Sequence, residues 1–311
     1  MLGPRLLPVA LLFAACIPCA FGQLPKRLEK CLPYPTLAQE IQDMQLAPKR
    51  ITVHVMRVDF DTKDGIPPDA RHEISTELRS HLFKWDADNP YLDDLANEIA
   101  EVDVRGALQN RGYFKTTATA KLTTLQTENE DISMVVAIRA TLGPQYRTGD
   151  IRIESTDSGF PLSISADVLR GIIPLQRGEV FSVERVRKGL ENLTRAYKQE
   201  GYVDMTAEPD TEIDEPGGTI NLVLRISEQL QYRVGSIEFL GIDSVTREKL
   251  MEWLPKPGEV FDGTRLEEFF KANKAILPSD VSREDLNVSR DLKTRTVAIL
   301  FDFRTCSSNS N

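Results

Sequence analysis

The sequence has little of what catalytic and metal sites most often use. Its 311 residues include three histidines, all within residues 54–81, and four cysteines. Histidine is the usual base and metal ligand near neutral pH, so chemistry that needs a distant histidine base or several histidine ligands has little material here. Basic residues number 38 and acidic residues 47, for a formal charge of -9. This balance argues against a general role in binding nucleic acid or anionic lipid by counterion release.

Long apolar runs are also missing, because no segment reaches the roughly 20 apolar residues needed to cross a bilayer. The longest stretch, residues 6–20, follows Arg5 and is interrupted by two prolines. Small residues at Ala20 and Gly22 occupy the two positions that a signal peptidase reads. The sequence therefore predicts a signal peptide over residues 1–22 and an exported, soluble mature chain. An alternative prediction treats residues 13–16 as a bacterial lipoprotein signal, with Cys16 as a lipid anchor.

A duplication gives the sequence its clearest organisation. Residues 146–151 (YRTGDI) recur as residues 232–237 (YRVGSI). In each copy a helical stretch follows, and then a second match, residues 174–181 (PLQRGEVF) against 255–261 (PKPGEVF). Two matched blocks in the same order indicate that a unit has been duplicated.

The first third of the chain contains a fainter third copy, in which residues 110–114 (NRGYF) correspond to 199–203 (QEGYV). Three units of roughly 80 to 95 residues are a normal size for small domains. The linkers between them are very short, which predicts a semi-rigid array. We predict the following division: signal peptide 1–22, N-terminal flexible segment 23–49, domains 50–143, 144–230 and 231–304, and a polar tail 305–311.

The middle unit shows the local pattern best. Apolar residues follow Ser182, a typical N-cap, at spacings of three and four, and they predict one amphipathic helix that ends at Gly201. The stripe consists of Val183, Val186, Leu190, Leu193 and Tyr197. A strand and a short helix are predicted before it and two strands after it, so the order is strand, helix, helix, strand, strand. In the first unit the same order places helices over residues 70–83 and 91–109.

The stretch GEVFS at residues 178–182, the helix to Tyr197 and the EGY at residues 200–202 resemble a POTRA domain, the polypeptide-transport-associated module of outer-membrane β-barrel assembly factors. The first unit shares Gly112-Tyr113. The third shares residues 258–261 but has AILP at residues 275–278 where Gly-Tyr is expected. The resemblance covers residues 50–304 and is most specific in the second unit.

The resemblance implies an α+β fold, a tandem array of three POTRA-like β-α-α-β-β domains. The family usually joins such an array to a C-terminal membrane barrel, but too few residues follow Phe303 to form one, so no membrane barrel is expected. The resemblance also implies a non-enzymatic periplasmic protein with no cofactor or metal, associated with the outer membrane through its partners. Those partners would be a separately encoded outer-membrane β-barrel protein or unfolded client chains in outer-membrane protein assembly or secretion. No nucleic acid is expected as a partner.

The resemblance further implies a binding site at the strand after the second helix, which is the usual free sheet edge in that family. An extended client could add to such an edge by main-chain hydrogen bonds, that is, by β-augmentation. By position the edges are residues 202–207, 113–122 and 283–289. The candidate binding residues are Tyr113, Thr117, Tyr202, Val203, Met205, Ala207 and Val288.

Two cysteines, Cys31 and Cys306, remain after the predicted cleavage. A disulfide requires Cα atoms within about 7 Å, and the ends of a linear array of domains are farther apart than that. We therefore expect unpaired thiols or a link between molecules. The redox state stays open because a flexible N-terminal tail could reach the other end.

Other functions remain as alternatives. Partial matches to three motifs occur in the sequence: to a phosphate loop from residue 258, to a zinc-protease helix from residue 72 and to a calcium loop from residue 59. Each match lacks a residue that the motif requires further on. An exported hydrolase with no recognisable motif is one alternative. An adaptor in cell division or cell-wall assembly is the other, because modules similar to POTRA also occur there.

Overall fold

The computed structural model describes residues 50–86, 92–128, 131–156, 160–279 and 281–304. These residues form three separate mixed sheets that follow one another along the chain, each with helices on one face. The predicted signal peptide, Cys16, Cys31 and Cys306 lie outside the described residues. No helix in the described part of the chain has the length and hydropathy that crossing a membrane requires.

Unit 1 contains four strands, one continuous helix and a second helix that is interrupted by a π-helical segment. Strand β1 spans Arg50–Phe60 and helix α1 spans Pro68–Ser80, followed by β2 at Leu82–Asp86. Helix α2 (Leu92–Glu98) continues through a π-helical segment, Ile99–Val104, into α3 (Arg105–Gln109). The last two strands complete the unit. They are β3 (Thr117–Glu128) and β4 (Asp131–Thr141).

Unit 2 has the order that the sequence predicts. Strand β5 (Arg147–Ser155) leads to the short helix α4 (Ala166–Gly171) and the long helix α5 (Val183–Gln199). The Ser182 hydroxyl accepts a hydrogen bond from the Arg185 amide at 3.2 Å, so the predicted N-cap is confirmed. Strands β6 (Thr206–Asp214) and β7 (Thr219–Ser227) follow.

Unit 3 repeats this order. Strand β8 (Arg233–Leu240) is followed by helices α6 (Ser244–Met251) and α7 (Gly263–Ala272). A 3₁₀ turn, Arg283–Asp285, then precedes β9 (Leu286–Asp291). Strand β10 (Thr296–Asp302) closes the unit.

In every unit the first strand pairs in parallel with the last strand, and the last two strands form an antiparallel hairpin. The sheet orders are therefore β2-β1-β4-β3, β5-β7-β6 and β8-β10-β9. This topology leaves β3, β6 and β9 as the outermost strands at the same side of their sheets.

Each unit has its own hydrophobic core between its helices and one face of its sheet. In unit 2 the predicted stripe residues Leu193 and Tyr197 are fully buried against Leu222 and Leu224 of β7. In unit 3 the Phe239 and Phe301 rings stack with centroids 4.5 Å apart and 5° between their planes. The amphipathic pattern thus places the helices correctly, because the apolar stripe has only one sheet face to cover.

Unit 1 departs from the predicted β-α-α-β-β order. The helix predicted over residues 70–83 ends at Ser80, and residues from Leu82 form β2, which pairs antiparallel with β1. The error has a physical cause. Leu82 continues the four-residue spacing of Ile74 and Leu78, yet it lies on the added strand with 56% of its surface exposed, whereas Phe83 is the neighbour that turns toward the core.

Candidate functional site

The outermost strands β3, β6 and β9 are the candidate binding edges, and the structure contains all three. Of the seven predicted binding residues, Thr117 begins β3, Ala207 lies on β6 and Val288 lies on β9. The other four residues do not lie on strands. These are Tyr113, Tyr202, Val203 and Met205, in the turns that precede β3 and β6.

Local hydrogen bonds explain why these strands begin later than predicted. The Tyr202 amide donates to the Tyr197 carbonyl at 2.9 Å, and the Tyr113 amide donates to the Leu108 carbonyl at 3.1 Å. A further turn joins the Thr116 amide to the Tyr113 carbonyl at 3.2 Å. Because these groups close the helix ends, the chain becomes extended only at Thr117 and Thr206.

The three edges differ in length and chemistry. Strand β3 has 12 residues, TATAKLTTLQTE, with one basic and one acidic side chain and no proline. Strand β6 has nine residues, TAEPDTEID, with a proline and four carboxylates. Strand β9 has six residues. The 3₁₀ turn that precedes it lies at the position that corresponds to the first residues of β6. Proline and charge are typical of edges that resist pairing, so β3 is the edge best suited to accept a strand.

The register makes this comparison exact between β3 and β6. Ala120 pairs with Ile138 in unit 1, and Ala207 pairs with Ile226 in unit 2. Both pairs stand beside the end of the parallel first strand, because Asp61 and Thr156 donate to the Ile138 and Ile226 carbonyls. Counting from these pairs, Leu122 of β3 is the counterpart of Pro209 in β6.

Two further features mark β3. A bulge between Thr124 and Gln126 leaves Leu125 exposed, so the regular part of the edge runs from Thr117 to Thr124. Beside it, a groove of about 410 Å³ crosses the sheet between Asp59 of β1 and Lys121 of β3. The other outermost strand of this sheet is β2, which has five residues and pairs with β1.

The residues expected at the edge of unit 1 instead build a joint to unit 2, here called junction 1. The Tyr146 amide donates to the Gly112 carbonyl at 2.8 Å, and the Gln145 side-chain amide donates to the Arg111 carbonyl at 2.9 Å. The ring of Phe114 packs against unit 2, meeting Phe181 edge to face with centroids 5.8 Å apart. Phe114 of unit 1 therefore packs against the core of its neighbour.

Units 2 and 3 meet in the same way, at junction 2. The Tyr232 amide donates to the Gly201 carbonyl at 2.9 Å, and the Gln231 side-chain amide donates to the Glu200 carbonyl at 2.9 Å. Val203, in the position that Phe114 has in junction 1, packs against the core of unit 3. The two junctions are thus copies of one arrangement.

Glycine is required at the centre of each junction. Gly112 and Gly201 have φ angles of +83° and +82°, in the left-handed region that favours glycine. A Cβ on either residue would lie 2.6 Å from the Tyr146 carbonyl oxygen or 2.7 Å from that of Tyr232. The Gly-Tyr pair therefore positions the next unit as well as ending a helix.

An ion pair between a turn of one unit and the hairpin of the next unit lies at each junction, and its polarity is reversed between the two. In junction 1, Lys115 of unit 1 forms an ion pair with Glu215 in the β6–β7 hairpin of unit 2. In junction 2, Asp204 of unit 2 forms an ion pair with Arg290 of β9 in unit 3. Junction 2 has a further ion pair, between Lys198 of α5 and Glu267 of α7, at 2.9 Å. Lys115 and Asp204 both stand three residues after the junction glycine.

Each junction tyrosine donates its hydroxyl to the carboxylate, whichever unit carries it. The Tyr146 hydroxyl donates to Glu215 of its own unit at 2.7 Å, whereas the Tyr232 hydroxyl donates to Asp204 of the preceding unit at 2.9 Å. Hydrogen bonds from Lys115 and then from Tyr146 hold the pKa of Glu215 below its usual value. The hydrogen bond to Glu215 raises the pKa of Lys115 in turn.

Sequence reasoning did not find the junctions, although a signal was present. The duplicated YRTGDI and YRVGSI blocks begin with the junction tyrosines, and the NRGYF and QEGYV blocks contain the junction glycines. Each block, considered by itself, indicates only the start of a strand or the end of a helix. Among the described residues, no group of three or more His, Cys, Asp or Glu side chains is placed to hold a metal ion.

Comparison with known proteins agrees with this architecture. The sequence model of the POTRA family, described as surface antigen variable number repeat, matches residues 146–229. The matched segment coincides with unit 2. A protein of Treponema pallidum (strain Nichols), named as an outer membrane protein assembly factor, is 24% identical over 173 residues, covering 55% of this chain. The matched part spans 20% of that relative's own length.

Among solved structures, POTRA domains 3 to 5 of Haemophilus influenzae BamA match with a TM-score of 0.57 and 14% identity. The match covers 83% of this chain and 98% of that one. At this identity the likeness concerns the fold, and it supports a tandem array of three POTRA-like units. The family resemblance and the α+β fold class inferred from the sequence are thereby confirmed.

Proposed function

We propose that this chain, whose residues 146–229 match the sequence model of the POTRA family, is a non-enzymatic periplasmic binding protein of outer-membrane protein assembly or secretion. Its clients or a partner barrel would add an extended segment to a free sheet edge. The similarity to a relative named as an outer membrane protein assembly factor supports the pathway. The exposed edge strands support the mode of binding.

The observation that carries the proposal is the difference between the edges. We infer that β3 of unit 1 is the binding edge, because it is the longest strand of the three and contains no proline. Its exposed residues Thr117, Thr119 and Thr123 are β-branched and uncharged, which favours an added strand. Main-chain hydrogen bonds depend little on the side chains of the added strand, so such an edge can bind clients of varied sequence.

Unit 2 has the opposite chemistry at its edge. Pro209 lacks an N–H group, and Glu208, Asp210 and Glu212 are exposed beside it. An added strand would lose one main-chain hydrogen bond and would bring its own carbonyl groups close to three carboxylates. We propose that this edge stays unpaired and that unit 2 serves to connect its neighbours.

In-cell photocrosslinking tests the proposal with a matched pair of positions. Thr119 and Thr206 are both exposed threonines one residue before the paired Ala120 and Ala207, so a photo-reactive residue at each samples the same place on two edges. We expect outer-membrane barrel proteins to be captured from Thr119 several-fold more than from Thr206. Equal capture at both positions, or none at Thr119, would contradict the assignment of β3.

A second pair of variants separates strand addition from contact by side chains. Leu122→Pro gives β3 the proline of β6, and Pro209→Leu gives β6 the leucine of β3. We expect Leu122→Pro to reduce capture from Thr119 and Pro209→Leu to raise capture from Thr206. Because Leu122 also packs on the core of unit 1, Thr123→Asp serves as an exposed companion variant that adds the charge of Asp210. Unchanged capture with both β3 variants would argue against main-chain pairing at this edge.

A further inference from the structure

The two junctions share a backbone arrangement that cannot distinguish one unit from another. In both, a tyrosine amide donates to a glycine carbonyl and a glutamine side chain donates to the carbonyl before it. By backbone alone, the end of unit 1 would fit unit 3 as well as unit 2. Chains built from similar units are prone to pair wrongly, within one molecule or between two.

The charges, in contrast, do distinguish the units. The end of unit 1 carries a cation, Lys115, and the hairpin it meets carries an anion, Glu215. The end of unit 2 carries an anion, Asp204, and the hairpin it meets carries a cation, Arg290. We propose that this reversal of polarity matches the end of each unit to the right kind of neighbour and disfavours mismatched junctions, whether they form within one chain or between two copies.

A pairing that joins the end from one junction to the hairpin of the other would bring like charges together. If the end of unit 1 met unit 3, Lys115 would stand against Arg290. If the end of unit 2 met unit 2 of a second copy, Asp204 would stand against Glu215. The tyrosine hydroxyls also depend on the position of the carboxylate, because Tyr146 donates to Glu215 in junction 1 and Tyr232 donates to Asp204 in junction 2.

These side chains are partly exposed to solvent, so each favourable or unfavourable charge pair changes the stability of a junction only modestly. An exposed ion pair changes an equilibrium constant by roughly two- to five-fold. A wrong junction both loses a favourable pair and gains an unfavourable one, and the difference is greatest at low salt. The effect would decide how a mixture of folding chains divides between correct and exchanged pairings, while leaving the fold of each unit unchanged.

One double variant tests the proposal in the full mature chain. Lys115→Asp with Glu215→Arg gives junction 1 the polarity of junction 2, so each native junction keeps an ion pair while the charges at Lys115 and Asp204 no longer distinguish the ends of units 1 and 2. The matched control is Lys115→Arg with Glu215→Asp, which keeps the native polarity. Both variants are unfolded in urea and refolded by dilution at high protein concentration, with reductant present so that Cys31 and Cys306 cannot crosslink molecules.

Analytical ultracentrifugation then measures the fraction of dimers and larger species. We expect the polarity-matched control to refold as the unchanged chain does, and the reversed variant to form roughly three-fold more oligomer at low salt. The excess should largely disappear at about 1 M salt, where charges more than about 3 Å apart are screened. If the reversed variant and the control give the same distribution at low salt, the proposal is wrong.

The single variant Lys115→Glu provides an independent measurement. It places like charges at junction 1, and we expect faster hydrogen exchange of the Tyr146 amide, which donates across that junction. Adding Glu215→Lys should restore slow exchange. Failure of the second change to restore it would show that Lys115 acts through something other than its charge, and would overturn the proposal.

Discussion

Junction 1 and junction 2 are alike where they are buried and different where solvent reaches them. The φ angles of the two glycines are +83° and +82°. The tyrosine amide hydrogen bonds are 2.8 Å and 2.9 Å long, and the glutamine side-chain hydrogen bonds are both 2.9 Å long. The ionic residues have opposite signs, and the packed residue is Phe114 in one and Val203 in the other. A duplicated joint can therefore keep its geometry in backbone atoms and vary its recognition in side chains.

The largest expected effect comes from the shared part. Gly112→Ala should destabilise junction 1 by about 3 kcal/mol, because the new Cβ meets the Tyr146 carbonyl oxygen and the backbone angle is unfavourable for alanine. Hydrogen exchange of the Tyr146 amide measures this directly. Gly201→Ala should affect junction 2 equally, read from the Tyr232 amide.

Two other glycines separate the causes of that effect. Gly178 has a φ angle of +85° but open space around a Cβ, so Gly178→Ala should cost only about 1 kcal/mol. Gly106 lies in α3 with open space and an ordinary φ angle, so Gly106→Ala should be neutral or slightly stabilising. If Gly112→Ala is no worse than Gly178→Ala, the close contact at the junction does not matter.

A smaller effect should distinguish the two junctions. Both tyrosines are fully buried, but the Tyr232 hydroxyl bonds across its junction whereas the Tyr146 hydroxyl bonds within unit 2. Tyr232→Phe should therefore speed exchange of its own amide by roughly three- to ten-fold. Tyr146→Phe should change the exchange of the Tyr146 amide less. Equal effects would mean that the hydroxyls stabilise their own units only.

The smallest expected effect is the acid response of junction 1. The pKa of Glu215 lies below its usual value because Lys115 and Tyr146 donate hydrogen bonds to it. The ionised Glu215 therefore stabilises junction 1 above the unfolded pKa of about 4.3, and this stabilisation is lost as pH falls through the lower pKa of the folded state. Exchange of the Tyr146 amide, corrected for its intrinsic pH dependence, should rise between about pH 5 and pH 3. Glu215→Gln should remove this response, and a response that persists in that variant would assign it to another group.

The helices of unit 2 could be predicted because their signals are local. Ser182 caps the helix that it precedes, and the apolar stripe of that helix meets one sheet face. Strand β2 could not be distinguished from helix, because Leu82 extends the spacing of Ile74 and Leu78 by one more helical step. Only its pairing with β1, about 30 residues earlier, decides the outcome.

The candidate site was predictable to a similar degree. The order of elements indicates which strand is outermost, and Thr117, Ala207 and Val288 do lie on those strands. The role of Gly112 and Gly201 depends on a tyrosine that follows about 30 residues later, so no local pattern shows it. The junction becomes visible only when the repeated blocks are aligned as pairs.

The parallel pairing of the first and last strands has a consequence for how such arrays change in evolution. In unit 2, Thr148 near the start pairs with Ile220 near the end, so the last strand occupies the centre of the sheet. A recombination breakpoint inside a unit would separate the central strand from its parallel partner, the first strand. Breakpoints between units leave every sheet whole. Arrays of this kind can therefore lengthen or shorten by complete units, and any gained unit must bring end and hairpin charges that suit its new neighbours.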